Sequence, residues 1–288
     1  MNRLVEALHS GRVLVMDGAM GTELQRLGLR DDECSALWNI THPEQVAAVH
    51  AAYLEAGAEV LLTNTFLANP EQLSRYGWQD RLSEIWQAAI QNARIFTNPA
   101  PLLLADLTPN KDNRPRDRFR VAGLSQVVDG LLVETVTLAQ LRGLATWSWY
   151  IQHDAPPLPF VMSIAFQRPQ ATSNLYLMAR SAAEDVDDLM GAFALGANCG
   201  CDTDMDDLLD IIRVWRDYTD LPLVIRPNAG TPTRTANGYT YPRSPEYMAD
   251  KLWPLLEAGV TMVGGCCGTT PAHIAAFRRV VDEWNAKR

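Results

Sequence analysis

Short, nearly unbroken apolar runs alternate with longer amphipathic stretches along the 288-residue chain. Eight runs stand out: 13–17 (VLVMD), 59–63 (EVLLT), 101–106 (PLLLAD), 130–134 (GLLVE), 159–164 (PFVMSI), 193–197 (FALGA), 222–227 (PLVIRP) and 260–263 (VTMV). A strand covered on one face alternates apolar and polar, whereas one apolar at consecutive positions is covered on both, as in a parallel sheet flanked by helices. Between the runs the period changes to that of a helix. Stretch 43–56 places Val46, Val49, Ala52 and Tyr53 on one stripe, with Thr41 as candidate cap, Pro43 opening the first turn and Gly57 ending it. Stretches 83–96, 182–190, 204–218, 244–258 and 271–286 read in the same way. Strand followed by helix, repeated to eight strands, predicts an α/β protein closed into a (β/α)8 TIM barrel. The alternative is an open doubly wound sheet, but no glycine-rich phosphate fingerprint follows the first run. The third crossover fits poorly. Stretch 105–129 is polar, with Pro109, Pro115 and several Arg, and only 120–128 could form a short helix. A shortened or missing third helix is therefore expected. With no boundary, short-period repeat or low-complexity tract, 1–288 is expected to be a single barrel domain.

Composition narrows the partners. Hydrophobic residues are 47% and charged residues 20%, ordinary values for a packed domain. Lys plus Arg is 25 against 34 for Asp plus Glu, a net charge of −9. Such a surface repels phosphate backbones and anionic bilayers, so neither nucleic acid nor membrane is an expected partner. No stretch supplies the roughly 18 consecutive apolar residues of a membrane span, and Glu6 interrupts any leader-like core. Five cysteines, two of them adjacent, suggest a reducing, cytoplasmic compartment and thiols kept for metal or chemistry.

Barrel enzymes place their sites at the carboxyl ends of the strands. Read in order, those ends present Asp17, Asn64, Asp106, Glu134, Ser163, Cys199, Asn228, and Cys266 with Cys267. Neighbouring side chains of an extended strand point to opposite faces, so Cys266 and Cys267 meet one ion only from a turn. Gly264, Gly265 and Gly268 offer a permissive backbone for it. Three thiolates around zinc leave one tetrahedral position open and suit catalysis; four make a closed, structural site. Cys201 is the candidate fourth ligand. Buried small hydrophobes and a strained vicinal disulfide are further readings of the same thiols, and Cys34 reads as a packed or surface thiol. Asp17 and Glu134 end apolar strands, where an unpartnered carboxylate is costly. They either capture a substrate ammonium or bond to loop amides. Gly18, Gly21 and Thr22 could turn backbone amides towards a substrate carboxylate.

His9, His42, His50, His153 and His273 are scattered and none is assigned to a metal. His50 reads as a satisfied helix residue and His273 as the opening of the last helix. Trp147 and Trp149 read as packing, and Ser163 has no visible base to make it a nucleophile.

The segments MDGAMGTEL, ELQRLGL, LWNITHPEQVAAVHAAYLEAGAEVLLTNTF, GLLVETV, ANC, RPNAG and GGCCGTTPAHI run from about residue 13 to residue 277. Together they resemble the homocysteine S-methyltransferase family. The resemblance implies a (β/α)8 barrel with Zn2+ held by Cys199, Cys266 and Cys267. It implies that Asp17 and Glu134 hold the homocysteine amino group, that Asn64 lines the mouth, and that Asn228 approaches the zinc when homocysteine is absent. The implied reaction is methyl transfer to the homocysteine thiol, giving methionine. With no cobalamin or folate module beside the barrel, the expected donor is small and cationic: S-methylmethionine, with betaine second. The chain departs from the family pattern after the third strand, where relatives carry a GS-x-GP-like segment and this chain has ADLTPN. A thin third crossover would expose apolar strand surface, which a partner subunit could cover in a homo-oligomer. It also raises the alternative of a catalytically impaired zinc- and thiol-binding module acting as a sensor or complex subunit. Selenohomocysteine would fit as acceptor in either case.

Overall fold

The computed structural model describes residues 2–94, 100–109, 127–145, 148, 158–166, 175–200, 203–235 and 238–288. Ten strands are described: β1 (Leu14–Val15), β2 (Val60–Leu62), β3 (Leu102–Leu107), β4 (Gly130–Val136), β5 (Phe160–Ile164), β6 (Ala192–Asn198), β7 (Leu223–Arg226), β8 (Thr233–Thr235), β9 (Gly238–Thr240) and β10 (Val260–Val263). Eight form one parallel sheet in the order β1-β10-β7-β6-β5-β4-β3-β2. A bridge between Met16 and Val60 joins its two ends, and Asp17 N–H donates to the Val60 carbonyl at 2.9 Å, so the sheet closes into a barrel. The eight predicted runs are the eight barrel strands, displaced by at most two residues at either end. β8 and β9 pair antiparallel as an exposed hairpin between β7 and the next helix, an insertion without an apolar run to announce it.

The helices pack outside. Pro43–Glu55 and Pro271–Ala286 follow the predicted spans closely. Thr41 does not cap the first of these: His42 occupies the cap position, and the Thr41 hydroxyl turns back to the Leu37 carbonyl at 3.2 Å. The predicted stretch 83–96 is the helix Leu82–Ala93, and 204–218 is Met205–Arg216. Stretch 182–190 is the second half of a longer helix, Leu175–Asp187. Stretch 244–258 is two helices, Pro245–Asp250 and Leu252–Glu257. Pro254 explains the break, because it has no N–H for the Asp250 carbonyl and its ring crowds that oxygen. The expected short helix at 120–128 falls mostly on residues outside those described, as do Cys201, Trp147, Trp149 and His153.

Two concentric apolar layers hold the barrel. Outward-facing Val15, Leu61, Leu103, Val133, Met162, Leu195 and Ile225 pack under the helices. Inward-facing Leu14, Met16, Val60, Leu62, Leu104, Leu132, Val161, Val224 and Met262 fill the axis. Both faces are covered, which is why the runs lack alternation in the sequence. The short N-terminal helix Arg3–Leu8 adds Leu4 and Leu8 to the inner layer, closing the amino end of the barrel. It is fixed there by Asn2, whose side chain caps the helix and donates to the Asp129 carbonyl at 2.8 Å. A membrane-spanning helix is absent among the described residues.

Candidate active site at the carboxyl ends of the strands

Two positions further along four of the inward rows, the barrel lining turns polar. Leu104 is followed by Asp106, Leu132 by Glu134, Val161 by Ser163, and Val224 by Arg226. All four polar residues are buried. The side-chain period of two carries the row from apolar floor to polar ceiling without a break.

Arg226 organises this layer. Its Nη1 donates to Glu134 Oε2 at 2.5 Å, and its Nη2 lies 3.5 Å from Asp17 Oδ1 and 3.4 Å from the Gly18 carbonyl. Asp17 Oδ2 also accepts from the Leu62 N–H at 2.7 Å. Both alternatives left open for Asp17 thus have a basis: it bonds to a backbone amide and it faces the cavity with an atom to spare. Burial pushes the Asp17 carboxyl up to about 7, against the pull of Arg226. Burial likewise raises Glu134 to about 7, with Arg226 opposing. Arg226 opens the RPNAG segment, although no role attaches to it there. The signal that could have found it is a lone charge in the apolar run PLVIR, at an inward position.

Asn198, the last residue of β6, ties acids to thiols. Its Oδ1 accepts from the Ser163 hydroxyl at 2.7 Å and the Thr135 N–H at 3.1 Å. Its Nδ2 donates to Glu134 Oε2 at 3.1 Å and Thr135 Oγ1 at 3.0 Å, and lies 3.9 Å from Cys266 Sγ. Ser163 is therefore a support for Asn198, in agreement with its lack of a base. Thr135 (φ 60°) and Cys199 (φ 46°) sit in the left-handed region, costing non-glycine residues on the order of 1–3 kcal/mol each. The register of β4 against β5 shifts at Thr135, so a bulge there aims Glu134 inward before pairing resumes at Val136.

The thiols of Cys199, Cys266 and Cys267 lie within 4.8 Å of one another, with Cys199 Sγ 3.4 Å from Cys267 Sγ. None of the four described cysteines is in a disulfide, so the vicinal bridge is not formed. Cys34 is buried away from the cluster, as a packed thiol. Cys266 and Cys267 do occupy a turn: Cys266 N–H donates to the Pro227 carbonyl and Ala229 N–H to the Cys267 carbonyl, both at 2.9 Å. Only Gly268 needs a left-handed backbone (φ 80°). Gly264 and Gly265 serve close approach instead. A Cβ on Gly264 would meet Met16 Cβ at 2.7 Å, and one on Gly265 would overlap Thr269 Oγ1. The same holds for Gly18, whose Cβ would meet Thr269 and Tyr53 at 2.8 Å. The two neighbouring thiols pull Cys199 down to about 4 and are themselves pushed up by it. A divalent cation is what would let all three ionise.

These groups line a cavity of about 520 Å³, with the thiols and the acids Asp17, Asp106 and Glu134 on its inner wall. Gly18, Gly21, Thr22 and Asn64 line it as well. Asn64 is occupied in support: its Nδ2 donates to the Ser35 carbonyl at 2.8 Å and lies 3.3 Å from Asn39 Oδ1. Asn228 and Cys199 both line a second, small cleft, and the Asn228 Oδ1 is buried without a hydrogen-bond partner. Tyr239 and Tyr241, from the hairpin side, cover the opposite wall. The Tyr241 ring packs on the Cys267–Gly268 turn, in the space that a Cβ on Gly268 would need. His273 bridges Thr270 and the Arg243 carbonyl at 3.0 Å and takes no part in the cluster. His50, read as satisfied, is fully buried with both ring nitrogens unpartnered, and burial lowers it to about 4, so the ring is neutral.

Comparison with known proteins gives this geometry a context. The chain is 31% identical to methionine synthase of Mycobacterium tuberculosis over 306 aligned positions and 30% identical to that of Mycobacterium leprae over 310. The match takes in 97–98% of the chain but 25% of each relative, so the chain spans about a quarter of the length of these proteins. Among solved structures it superposes on the homocysteine methyltransferase MmuM from Escherichia coli, in its oxidized form with a TM-score of 0.75 at 23% identity. That alignment covers 96% of the chain and 99% of MmuM. The metallated form of MmuM gives a TM-score of 0.72 at 22% identity, covering 95% and 99% of the two chains. The homocysteine S-methyltransferase family profile matches residues 14–281, nearly the full length, and the chain belongs to that family.

Proposed function

We propose that the protein transfers a methyl group from a small cationic donor, S-methylmethionine or betaine, to the thiol of homocysteine, giving methionine, with Zn2+ held by Cys199, Cys266 and Cys267. The observation that carries this reading is the pairing of three converging thiols with a buried acid layer in one cavity. Thiolates bonded to zinc at about 2.3 Å in a tetrahedron stand roughly 3.8 Å apart, and sulfurs within 4.8 Å of one another suit that donor set. Bound zinc supplies a lowered thiol pKa and an open position for the substrate sulfur.

The remaining work belongs to the chain. Asp17 and Glu134 share one guanidinium, so two carboxylates face the cavity with a single cation between them. The homocysteine ammonium supplies the second. The turn containing Gly18, Gly21 and Thr22 lines the cavity where the substrate carboxylate would lie. Asn198 holds Glu134 in register with Cys266, so the amino group and the sulfur are positioned from one side chain. Tyr241 and the apolar wall exclude water from the sulfur, which keeps a thiolate reactive.

The test is a panel of donors with homocysteine and zinc-loaded protein, with methionine measured by mass spectrometry. Formation of methionine that stops with a chelator and returns with zinc supports the reading. Tight homocysteine binding by calorimetry without methionine from any donor would leave a zinc- and thiol-binding module in its place.

A further inference from the structure

One carboxylate in the cavity is not accounted for by the acid–guanidinium layer. Asp106 ends the inward row of β3, is 7% exposed, and lines the cavity. Its main chain is fixed on both sides: the N–H donates to Thr63 Oγ1 at 3.1 Å and the carbonyl accepts from Thr65 Oγ1 at 2.7 Å. Its Oδ1 has no hydrogen-bond partner, and it makes no ion pair among the described residues. Arg226, the one buried cation among the described residues of this layer, is taken up by Asp17 and Glu134. Burial and the neighbouring Glu134 push the Asp106 carboxyl well above the usual carboxylate range, as expected for a charge without a counterpart.

The count of charges in the cavity then sets a requirement. Three acids face one guanidinium. Homocysteine brings one positive and one negative group, so its binding leaves the sum unchanged. Three thiols nearby add further negative charge when ionised. A buried carboxyl in such surroundings stays protonated until a cation is delivered beside it, and only a ligand can deliver one here.

We propose that Asp106 is a specificity-determining residue whose carboxylate meets the positive charge of the methyl donor, selecting sulfonium or quaternary ammonium donors over neutral ones. This rests on the methyltransferase reading above. In the transfer, the methyl carbon bonds to the homocysteine sulfur as its bond to the onium sulfur or nitrogen breaks. The bonding pair stays on the leaving atom, which departs uncharged, and the thiolate charge is consumed. Asp106 therefore holds the charged donor and has no charge left to hold on the demethylated product, which favours release.

The experiment uses the zinc-loaded full chain and its D106N and D106E variants, titrated separately by calorimetry with S-methylmethionine, betaine and homocysteine. Donors are added without homocysteine, so binding is read without turnover. D106N is expected to weaken the onium ligand by about tenfold or more while homocysteine affinity changes less than about twofold, and D106E is expected to keep most of the donor affinity. In turnover, the loss appears mainly in the donor KM. Because Asp106 makes no ion pair among the described residues of the free protein and its Oδ1 has no hydrogen-bond partner, D106N should melt no lower than the parent, which separates misfolding from lost recognition. Unchanged donor binding in D106N, equal weakening of homocysteine, or a parent chain that binds homocysteine but neither onium ligand would each overturn the role of Asp106. A parent chain that binds no homocysteine and makes no methionine overturns the methyltransferase reading itself. The relative affinities of the two donors tell a sulfonium pocket from a quaternary ammonium one.

Discussion

Arg226 Nη1 lies 2.5 Å from Glu134 Oε2, with both side chains buried in the wall of the cavity that the three thiols also line. Removing one member of such a pair strands the other in a low-dielectric interior, which costs far more than the pair itself contributes. Arg226→Met is therefore expected to lower stability by roughly 3–5 kcal/mol, measured by urea denaturation at pH 8. Glu134→Gln keeps the shape and a hydrogen-bond acceptor. It should leave the fold intact while homocysteine affinity falls, measured by calorimetry.

Each of Cys199, Cys266 and Cys267 offers one ligand atom to a common centre. Substitution of any one by Ala should drop bound zinc from one per chain to well below one, read by atomic emission after dialysis. Cys34→Ala, at a buried thiol distant in role, should leave the zinc content unchanged.

Asp17 gives the chain a pH-dependent stability with a definite sign. Its folded value of about 7 is above the unfolded 3.8, so between these limits the folded state binds more protons than the unfolded one. Stability contributed by this group is full below about pH 4 and declines as pH rises to about 7, by roughly 4 kcal/mol at about 1.4 kcal/mol per pH unit. Asp17→Asn should flatten that part of the stability–pH profile. Homocysteine binding moves the other way, strengthening as the acids ionise. A parent profile that rises from pH 4 to 7 while the Asp17→Asn variant follows the same curve would contradict this.

Gly268 has φ 80°, and the Tyr241 ring occupies the place its Cβ would take. Gly268→Ala should displace the turn that carries Cys267 and reduce zinc content. Tyr241→Ala combined with it should restore part of the zinc by clearing the ring, leaving only the backbone strain, on the order of 1 kcal/mol.

Much of this arrangement is legible in the sequence because barrel strands are apolar on both faces and end at one rim. Asp17, Glu134 and the thiols can be placed there from runs and spacing alone. The glycines beside Cys266 are legible as a turn, but not their reason: Gly264 and Gly265 exclude a Cβ, and only Gly268 needs positive φ. Arg226 and Asn198 fall within RPNAG and ANC, but their roles are hidden because they arise from contacts between β4, β6 and β7, which no local pattern encodes. The paired strands Thr233–Thr235 and Gly238–Thr240 escape for a similar reason: their residues are exposed and carry no periodic signal. Pro254 is visible in its stretch, yet the apolar period runs straight through the split it causes.

The N-terminal helix Arg3–Leu8 stoppers the barrel, and Leu4 and Leu8 complete a dry floor below the acid layer. With no passage along the axis, everything that enters by the rim leaves by the rim. On the proposed reaction, homocysteine and the donor share that one opening and must be present together before either product leaves. Steady-state kinetics should accordingly be sequential.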